Sequence, residues 1–256
     1  MSRDSLLILC ATGIALILIC GSYFLWHQQK EIQALTLEAA VAGTGDASLV
    51  AEWTPIVVQV DCSWKDSSQD GGGSGILLKR SNGNFYILTN AHVVTDNTGK
   101  RIAQSCDTVF PDAVSTTYTV DHKNITTDPN GADASLLQLP EDSYLTGLVS
   151  TNQRKICTTP PAIGDDMLLL GYPDAGSSNG ITVTDGIVAG DEGYDYVSSA
   201  KIDGGDSGGA AIDVKNDCYF GIPSYTIDGD YTNLARVLKW GTMFIDDPGK
   251  LSEARL

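Results

Sequence analysis

Gly204-Gly205-Asp206-Ser207-Gly208-Gly209 is the stretch on which the reading of this chain turns. Four glycines in six residues make a poor helix or strand, because glycine gives up more backbone entropy on folding than any other residue. Such a loop suits a backbone that must lie close to something, and the guest its chemistry suggests is a carbonyl group. Ser207 then supplies an attacking oxygen, and the N–H groups of Gly205 and Ser207 stabilise the oxyanion that forms. The competing reading is a plain glycine-rich turn. What lies upstream weighs against it.

A serine hydroxyl is a weak nucleophile at neutral pH. It needs a base within hydrogen-bond reach, and the base needs an orienting group. The chain has three histidines. His27 abuts an apolar N-terminal run, and His122 sits in Asp121-His122-Lys123-Asn124, which reads as a solvated turn. His92 ends a strand-like run, Leu88-Thr89-Asn90-Ala91-His92-Val93-Val94, in small and apolar company that can hold and partly desolvate an imidazole. Alone, His92 reads as a structural histidine; with Gly-Asp-Ser-Gly-Gly downstream it reads as the base. The orienting carboxylate is Asp133, which opens the apolar strand Ala134-Ser135-Leu136-Leu137-Gln138-Leu139. Asp96, Asp121 and Asp128 have polar neighbours and are expected to face solvent. The bland reading of Asp133 is a turn aspartate at the strand entry.

Leu88-Thr89-Asn90-Ala91-His92, Asp133-Ala134-Ser135-Leu136-Leu137 and Gly205-Asp206-Ser207-Gly208-Gly209 resemble the three active-site motifs of chymotrypsin-fold serine proteases, in that family's order. Gly73-Ser74-Gly75-Ile76, Ile163-Gly164-Asp165 and Leu170-Gly171-Tyr172-Pro173 are more similar to the bacterial and HtrA-type branch. The resemblance covers residues from Trp53 to Trp240. It implies an all-β fold of two antiparallel six-stranded barrels with the site in the cleft between them. It implies His92 as general base, Asp133 as its orienting acid, Ser207 as nucleophile, and Gly205 and Ser207 as the oxyanion hole. It also implies that Ser224, Tyr225 and Thr226 pair with an extended substrate backbone. Lys201, six residues before the serine, falls on the primary-specificity position; the alternative is a solvent-facing lysine. Thr232 would lie near the same pocket. The chain departs from the family in lacking an Ile-Val-Gly-Gly start, so Asp206 must find another partner. Ala210 replaces the common proline, the usual bridge beside the histidine is missing, and no PDZ domain follows.

Composition bounds the rest. Apolar residues make up 42% and glycine is frequent, which favours a β-rich core with many turns. With 16 basic and 32 acidic residues the formal net charge is −16, which argues against a nucleic-acid partner and against adhesion to anionic lipid. Cys62, Cys106, Cys157 and Cys218 are widely spaced and form no Cys-x-x-Cys pair, so no metal site and no cofactor is expected. They allow three disulfide connectivities or four buried thiols, and sequence does not choose.

Residues 5–26 are almost unbroken in apolar character, about the 20 residues that match a hydrocarbon core. They are expected to form a retained transmembrane signal-anchor rather than a cleaved leader. Residues 1–4 are then cytoplasmic, 27–50 a juxtamembrane spacer, 51–245 the trypsin-like domain outside the cytoplasm, and 246–256 a tail. From Trp53 onward, short β-like runs alternate with turn clusters, among them a hairpin of residues 75–78 and 85–89 turned at Ser81-Asn82-Gly83-Asn84. Two functions follow: a membrane-anchored serine endopeptidase acting on protein or peptide substrates, or a catalytically idle protease-fold binding module.

Overall fold

A computed structural model describes residues 46–65, 70–80, 82–111, 115–150, 155–174, 180–227, 234–244 and 256. The chain divides into two compact units, Met1–Ser48 and Leu49–Leu256. Of the first, residues 46–48 are described; they are helical and exposed. The expected span at 5–26 lies outside the described residues, and no helix among the described residues is long and apolar enough to cross a membrane.

The second unit contains two antiparallel sheets. The first comprises β1 (Val57–Ser63), β2 (Asp70–Lys79), β3 (Phe85–Thr89), β4 (Ser105–Val109), β5 (Thr117–Asp121), β6 (Ile125–Thr127) and β7 (Ser135–Leu139). Their order is β5-β4-β1-β2-β3-β7-β6. The outermost strands, β5 and β6, are joined by a single 3-10 turn, His122–Asn124, so the sheet must curl until its two edges nearly meet. The second sheet comprises β8 (Lys155–Ile156), β9 (Asp166–Gly171), β10 (Thr182–Glu192), β11 (Asp195–Ser198), β12 (Ala210–Asp213), β13 (Cys218–Ile227) and β14 (Leu234–Lys239). Pairing of β12 with β13 closes β12-β9-β10-β11-β14-β13 into a six-stranded barrel, to which β8 adds a short parallel strand. Each sheet therefore holds one strand more than the six expected. The extras, β6 and β8, are three and two residues long, too short to register as strands in the sequence.

The hairpin forms as read. Ile76 pairs with Leu88 and Lys79 with Phe85, and Gly83 takes φ +87° in the turn, a conformation that suits glycine. β4 escapes a hydrophobicity reading because its inward residues are Cys106 and Thr108, both fully or almost fully buried. Asp96 and Asp128, expected at the surface, are 4% and 5% exposed. Asp96 accepts from Arg101 Nε at 2.6 Å and from Thr98 Oγ1 at 2.7 Å. Asp128 accepts from the backbone N–H groups of Asn130 and Phe244. Polar neighbours in sequence here mark carboxylates that organise loop backbone, which is why they are buried.

Alternation along the central strands explains how the barrels meet. Met167 and Leu169 of β9, Ala211 of β12 and Phe220 of β13 belong to the core of the second barrel. Their neighbours Leu168, Leu170, Ala210, Ile212 and Tyr219 join the larger core that includes the first barrel. Successive residues on a strand face opposite ways, so a strand apolar on both faces lies between two hydrophobic layers. The continuous runs Met167-Leu168-Leu169-Leu170 and Tyr219-Phe220-Gly221-Ile222 are the interior wall of one barrel and its seam with the other. Trp53, fully buried, also ties the halves, donating Nε1 to Asp217 Oδ1 at 2.9 Å.

Both disulfides form, and the pairing left open by the sequence is Cys62–Cys106 and Cys157–Cys218. Cys62 and Cys106 sit directly opposite on β1 and β4, staples across neighbouring strands that close 44 residues of chain. Replacing both with alanine should cost about 2–4 kcal/mol of stability, most of it through the less constrained unfolded chain. Chemical denaturation of the double variant checks this; an unchanged midpoint would contradict it.

Candidate active site

The site forms where the two barrels meet. β3 ends at Thr89, and one helical turn, α1 (Ala91–Val94), carries His92. Asp133 lies just before β7. Its Oδ2 is 2.8 Å from His92 Nδ1, and its Oδ1 accepts from the His92 backbone N–H at 3.0 Å. Two further groups hold the same carboxylate: Ser224 Oγ donates to Oδ2 at 2.7 Å, and Asn90 Nδ2 lies 3.2 Å from it. Burial alone would push the Asp133 carboxyl up. The hydrogen bond and charge of His92, then Ser224 Oγ and the His92 N–H, outweigh burial and hold it below its ordinary value. Asp133 is thus kept ionised beside the imidazole, and its bond to Nδ1 directs Nε2 away from the carboxylate.

Ser207 approaches from the second barrel. Its hydroxyl donates to the Ser224 carbonyl at 2.9 Å, so the structure brings His92 and Asp133 together but turns the Ser207 hydroxyl to another acceptor. The N–H groups of Gly205 and Ser207 make no hydrogen bond among the described residues. Their neighbours do: Gly204 donates to Asp203 Oδ1 at 2.8 Å, and Asp206 and Gly208 donate to backbone carbonyls. Alternate N–H groups are left open beside a hydroxyl, an arrangement able to receive an oxyanion.

The glycines of this loop are required by the chain itself. Gly205 has φ +99°, and a Cβ there would sit 2.4 Å from Tyr172 O. Gly208 has φ +90°, and a Cβ there would sit 2.2 Å from both Ser74 O and Thr89 Oγ1. The sequence reading placed a substrate carbonyl against this backbone; the structure shows that neighbouring strands already press on it.

Two residues missed as site members hold the loop and the carboxylate in place. Ser74, fully buried, receives Tyr172 N–H at 2.8 Å and donates to Gly205 O at 2.7 Å, while its own N–H donates to Ser207 O at 2.8 Å. Asn90, also fully buried, spans Asp133 O at 2.8 Å and Ser224 Oγ at 3.2 Å. The glycine-flanked Gly73-Ser74-Gly75 carries the same kind of signal as the Ser207 loop. A polar Asn90 ending a wholly buried strand was the signal for the second.

Ser224 turns its side chain inward at a bulge. The β13–β14 register slips between Pro223 and Tyr225, and this bulge leaves Ser224 free to aim inward, 4% exposed. Bulges re-aim side chains in this way. Tyr225 and Thr226 are exposed and pair with Arg236 and Ala235 of β14. Lys201 is exposed; its carbonyl accepts from Thr184 Oγ1 at 2.7 Å. Thr232 lies outside the described residues. Among the described residues, Cys157, Asp213 and Cys218 place three potential ligand atoms within 4.8 Å of one another, but the two sulfurs are bonded to each other and Asp213 accepts from Asn216.

Two β-barrels, a His–Asp pair on one and a glycine-flanked serine on the other define the class of chymotrypsin-type serine peptidases. Residues 73–222 match the trypsin-like peptidase domain. That is more than half of the chain, which belongs to this family. The chain is similar to the serine protease Do-like HtrA of Bacillus subtilis (strain 168), 30% identical over 131 residues, covering 50% of this chain and 25% of that protein. It is also similar to a serine protease HtrA-like protein of Staphylococcus aureus (strain USA300), 28% identical over 167 residues, covering 57% of this chain and 19% of that protein. The chain thus spans a quarter or less of these relatives' length. Among solved structures, the active form of the Rv3671c protease from M. tuberculosis matches 80% of this chain and 84% of its own, with TM-score 0.58 and 22% identity. The Yersinia pestis serine endoprotease matches 75% and 61%, with TM-score 0.54 and 24% identity. Both show the fold.

Asp206, 7% exposed, has no cationic partner among the described residues; its Oδ2 accepts the Asp203 N–H at 2.9 Å. Burial pushes its carboxyl up from 3.8 to about 6; the Asp203 N–H pulls it down and the Asp203 charge adds to the rise. Because the folded value exceeds the unfolded one, this group's stabilising contribution is complete below the unfolded value and is lost as pH rises through about 6. Asp206→Asn should therefore melt above wild type at about pH 8, and the gap should close towards about pH 4. Thermal melts across that range test it, and a gap independent of pH would contradict it.

Proposed function

We propose that the chain is a serine endopeptidase in which Asp133, His92 and Ser207 act as a triad. The observation that carries this reading is the carboxylate–imidazole pair at 2.8 Å, beside which stands a serine loop tied to the same Ser224 and with alternate N–H groups open among the described residues. Rotation about the Ser207 Cα–Cβ bond releases its hydroxyl from the Ser224 carbonyl to His92 Nε2. Oγ then attacks the substrate carbonyl as its proton passes to Nε2. Asp133 stabilises the imidazolium, and Gly205 and Ser207 N–H groups receive the oxyanion. Collapse expels the amine, which takes the proton from His92, and leaves an acyl-enzyme. Water, deprotonated by His92, repeats the sequence and frees the acid. An extended peptide runs along the edge of β13 at residues 225–227, which among the described residues pair with β14 alone.

The apolar run 5–26 supports a signal-anchor that displays the peptidase outside the cytoplasm, with residues 27–50 as spacer and 51–245 as the catalytic domain. The two disulfides fit an oxidising compartment. The substrate is a protein or peptide, and the acidic surface disfavours nucleic acid.

The bond from Ser207 to Ser224 O favours a second reading, an idle binding module of the same fold. Labelling with a fluorophosphonate separates the two. The full chain should form one adduct at Ser207. Ser207→Ala should abolish it and His92→Ala should slow it by at least about a thousandfold. No adduct on folded wild-type protein would favour the binding module.

A further inference from the structure

The open N–H groups of Gly205 and Ser207 belong to two peptide planes, Gly204–Gly205 and Asp206–Ser207. A trans peptide holds its C=O and N–H on opposite sides of the chain, and there is no cis peptide among the described residues. Whatever grips the carbonyl therefore decides where the N–H points. Asp206 O is gripped within the loop, by the Gly209 N–H at 3.0 Å. Gly204 O is gripped from outside it, by the backbone N–H of Asp174 at 2.7 Å.

The two planes differ in what else restrains them. Asp206–Ser207 joins two residues with side chains, and Asp206 is buried. Gly204–Gly205 joins two glycines, which populate positive and negative φ alike, so no side chain opposes rotation of this plane. Gly204 is also exposed. Turned over, the plane would offer the Gly204 carbonyl where the Gly205 N–H now stands, and an acceptor there repels an oxyanion. The bond from Asp174 selects between the two orientations.

The donor is itself well placed. β9 ends at Gly171, and the next residue, Tyr172, donates its N–H to Ser74 Oγ at 2.8 Å. Pro173 has no N–H to offer and a fixed φ. Asp174 supplies the next donor along the chain. The segment lies hard against the loop, since a Cβ on Gly205 would sit 2.9 Å from both Pro173 Cα and Asp174 N. The Asp174 residue is exposed, and the bond uses its main chain alone.

Resting on the peptidase reading above, we propose that Asp174 is a positioning residue. Its backbone N–H holds the Gly204–Gly205 peptide so that the oxyanion hole stands formed before any substrate binds.

The test follows reaction of the purified full chain with a fluorophosphonate, resolved into the binding constant KI and the rate constant kinact. Asp174→Pro deletes the N–H and should lower kinact by about tenfold or more, because a hole donor acts on charge that develops during attack. KI should stay within about twofold, since ground-state binding does not use that donor. Asp174→Ala keeps the N–H and should restore the wild-type kinact. A proline variant as reactive as wild type, or an alanine variant as slow as the proline one, overturns the proposal. Should the proline variant fail to fold, a crystal structure of the free wild-type chain decides. Gly204 O on the Asp174 N–H upholds the proposal, and a Gly204–Gly205 peptide turned over overturns it. The two failures stay apart: wild-type and proline chains that label equally at Ser207 sink this inference alone. A folded wild-type chain that never labels sinks the peptidase reading and this inference with it.

Discussion

The site depends on keeping one carboxylate charged in a place that disfavours charge. Asp133 lies at the seam of two barrels, where burial works against its ionised form. Four donors answer that cost: both the ring and the backbone N–H of His92, the hydroxyl of Ser224 and the amide of Asn90. His92 and Asn90 come from the first barrel and Ser224 from the second. Satisfying the acid therefore also ties the two barrels together at the His92–Asp133 pair. Hydrogen bonds to an ionised acceptor are among the stronger ones in proteins, so the geometry that serves the chemistry also serves the fold.

A second tie runs through Ser74. Its N–H, hydroxyl and carbonyl engage Ser207 O, Gly205 O, Tyr172 N and Thr89 Oγ1. The loop carrying Ser207 is held by contacts of its backbone with the first barrel. In a seam this tight, glycine at 205 and 208 is a steric requirement. The carboxylate of Asp206 rests on a single backbone N–H of Asp203 among the described residues.

Much of this was legible in the sequence, for identifiable reasons. The Ser81–Asn84 turn, the strand runs on either side of it and the apolar wall at 167–170 announce themselves through turn chemistry and continuous hydrophobicity. His92 and Asp133 were found by requiring a base and a sheltered acid for Ser207, and the two side chains are paired in space. What stayed hidden depends on contacts distant in sequence. β4 hides because its buried residues are a bridged cysteine and a threonine. Asp96 and Asp128 were misplaced because local polarity does not distinguish a solvated carboxylate from one wrapped in backbone N–H groups. The inward turn of Ser224 follows from a register slip between β13 and β14, which no local pattern records.

In the proposed triad, Ser207 leaves the Ser224 carbonyl to work between His92 and the open N–H pair. A crystal structure of the chain after reaction with a peptidyl phosphonate measures this directly. The expected result is phosphorus bonded to Ser207 Oγ, a phosphoryl oxygen accepting from Gly205 and Ser207 N–H, and His92 Nε2 within hydrogen-bond reach of the adduct with its Nδ1 still on Asp133. An unmodified Ser207 still donating to Ser224 O, with the reagent bound elsewhere or not at all, would contradict it.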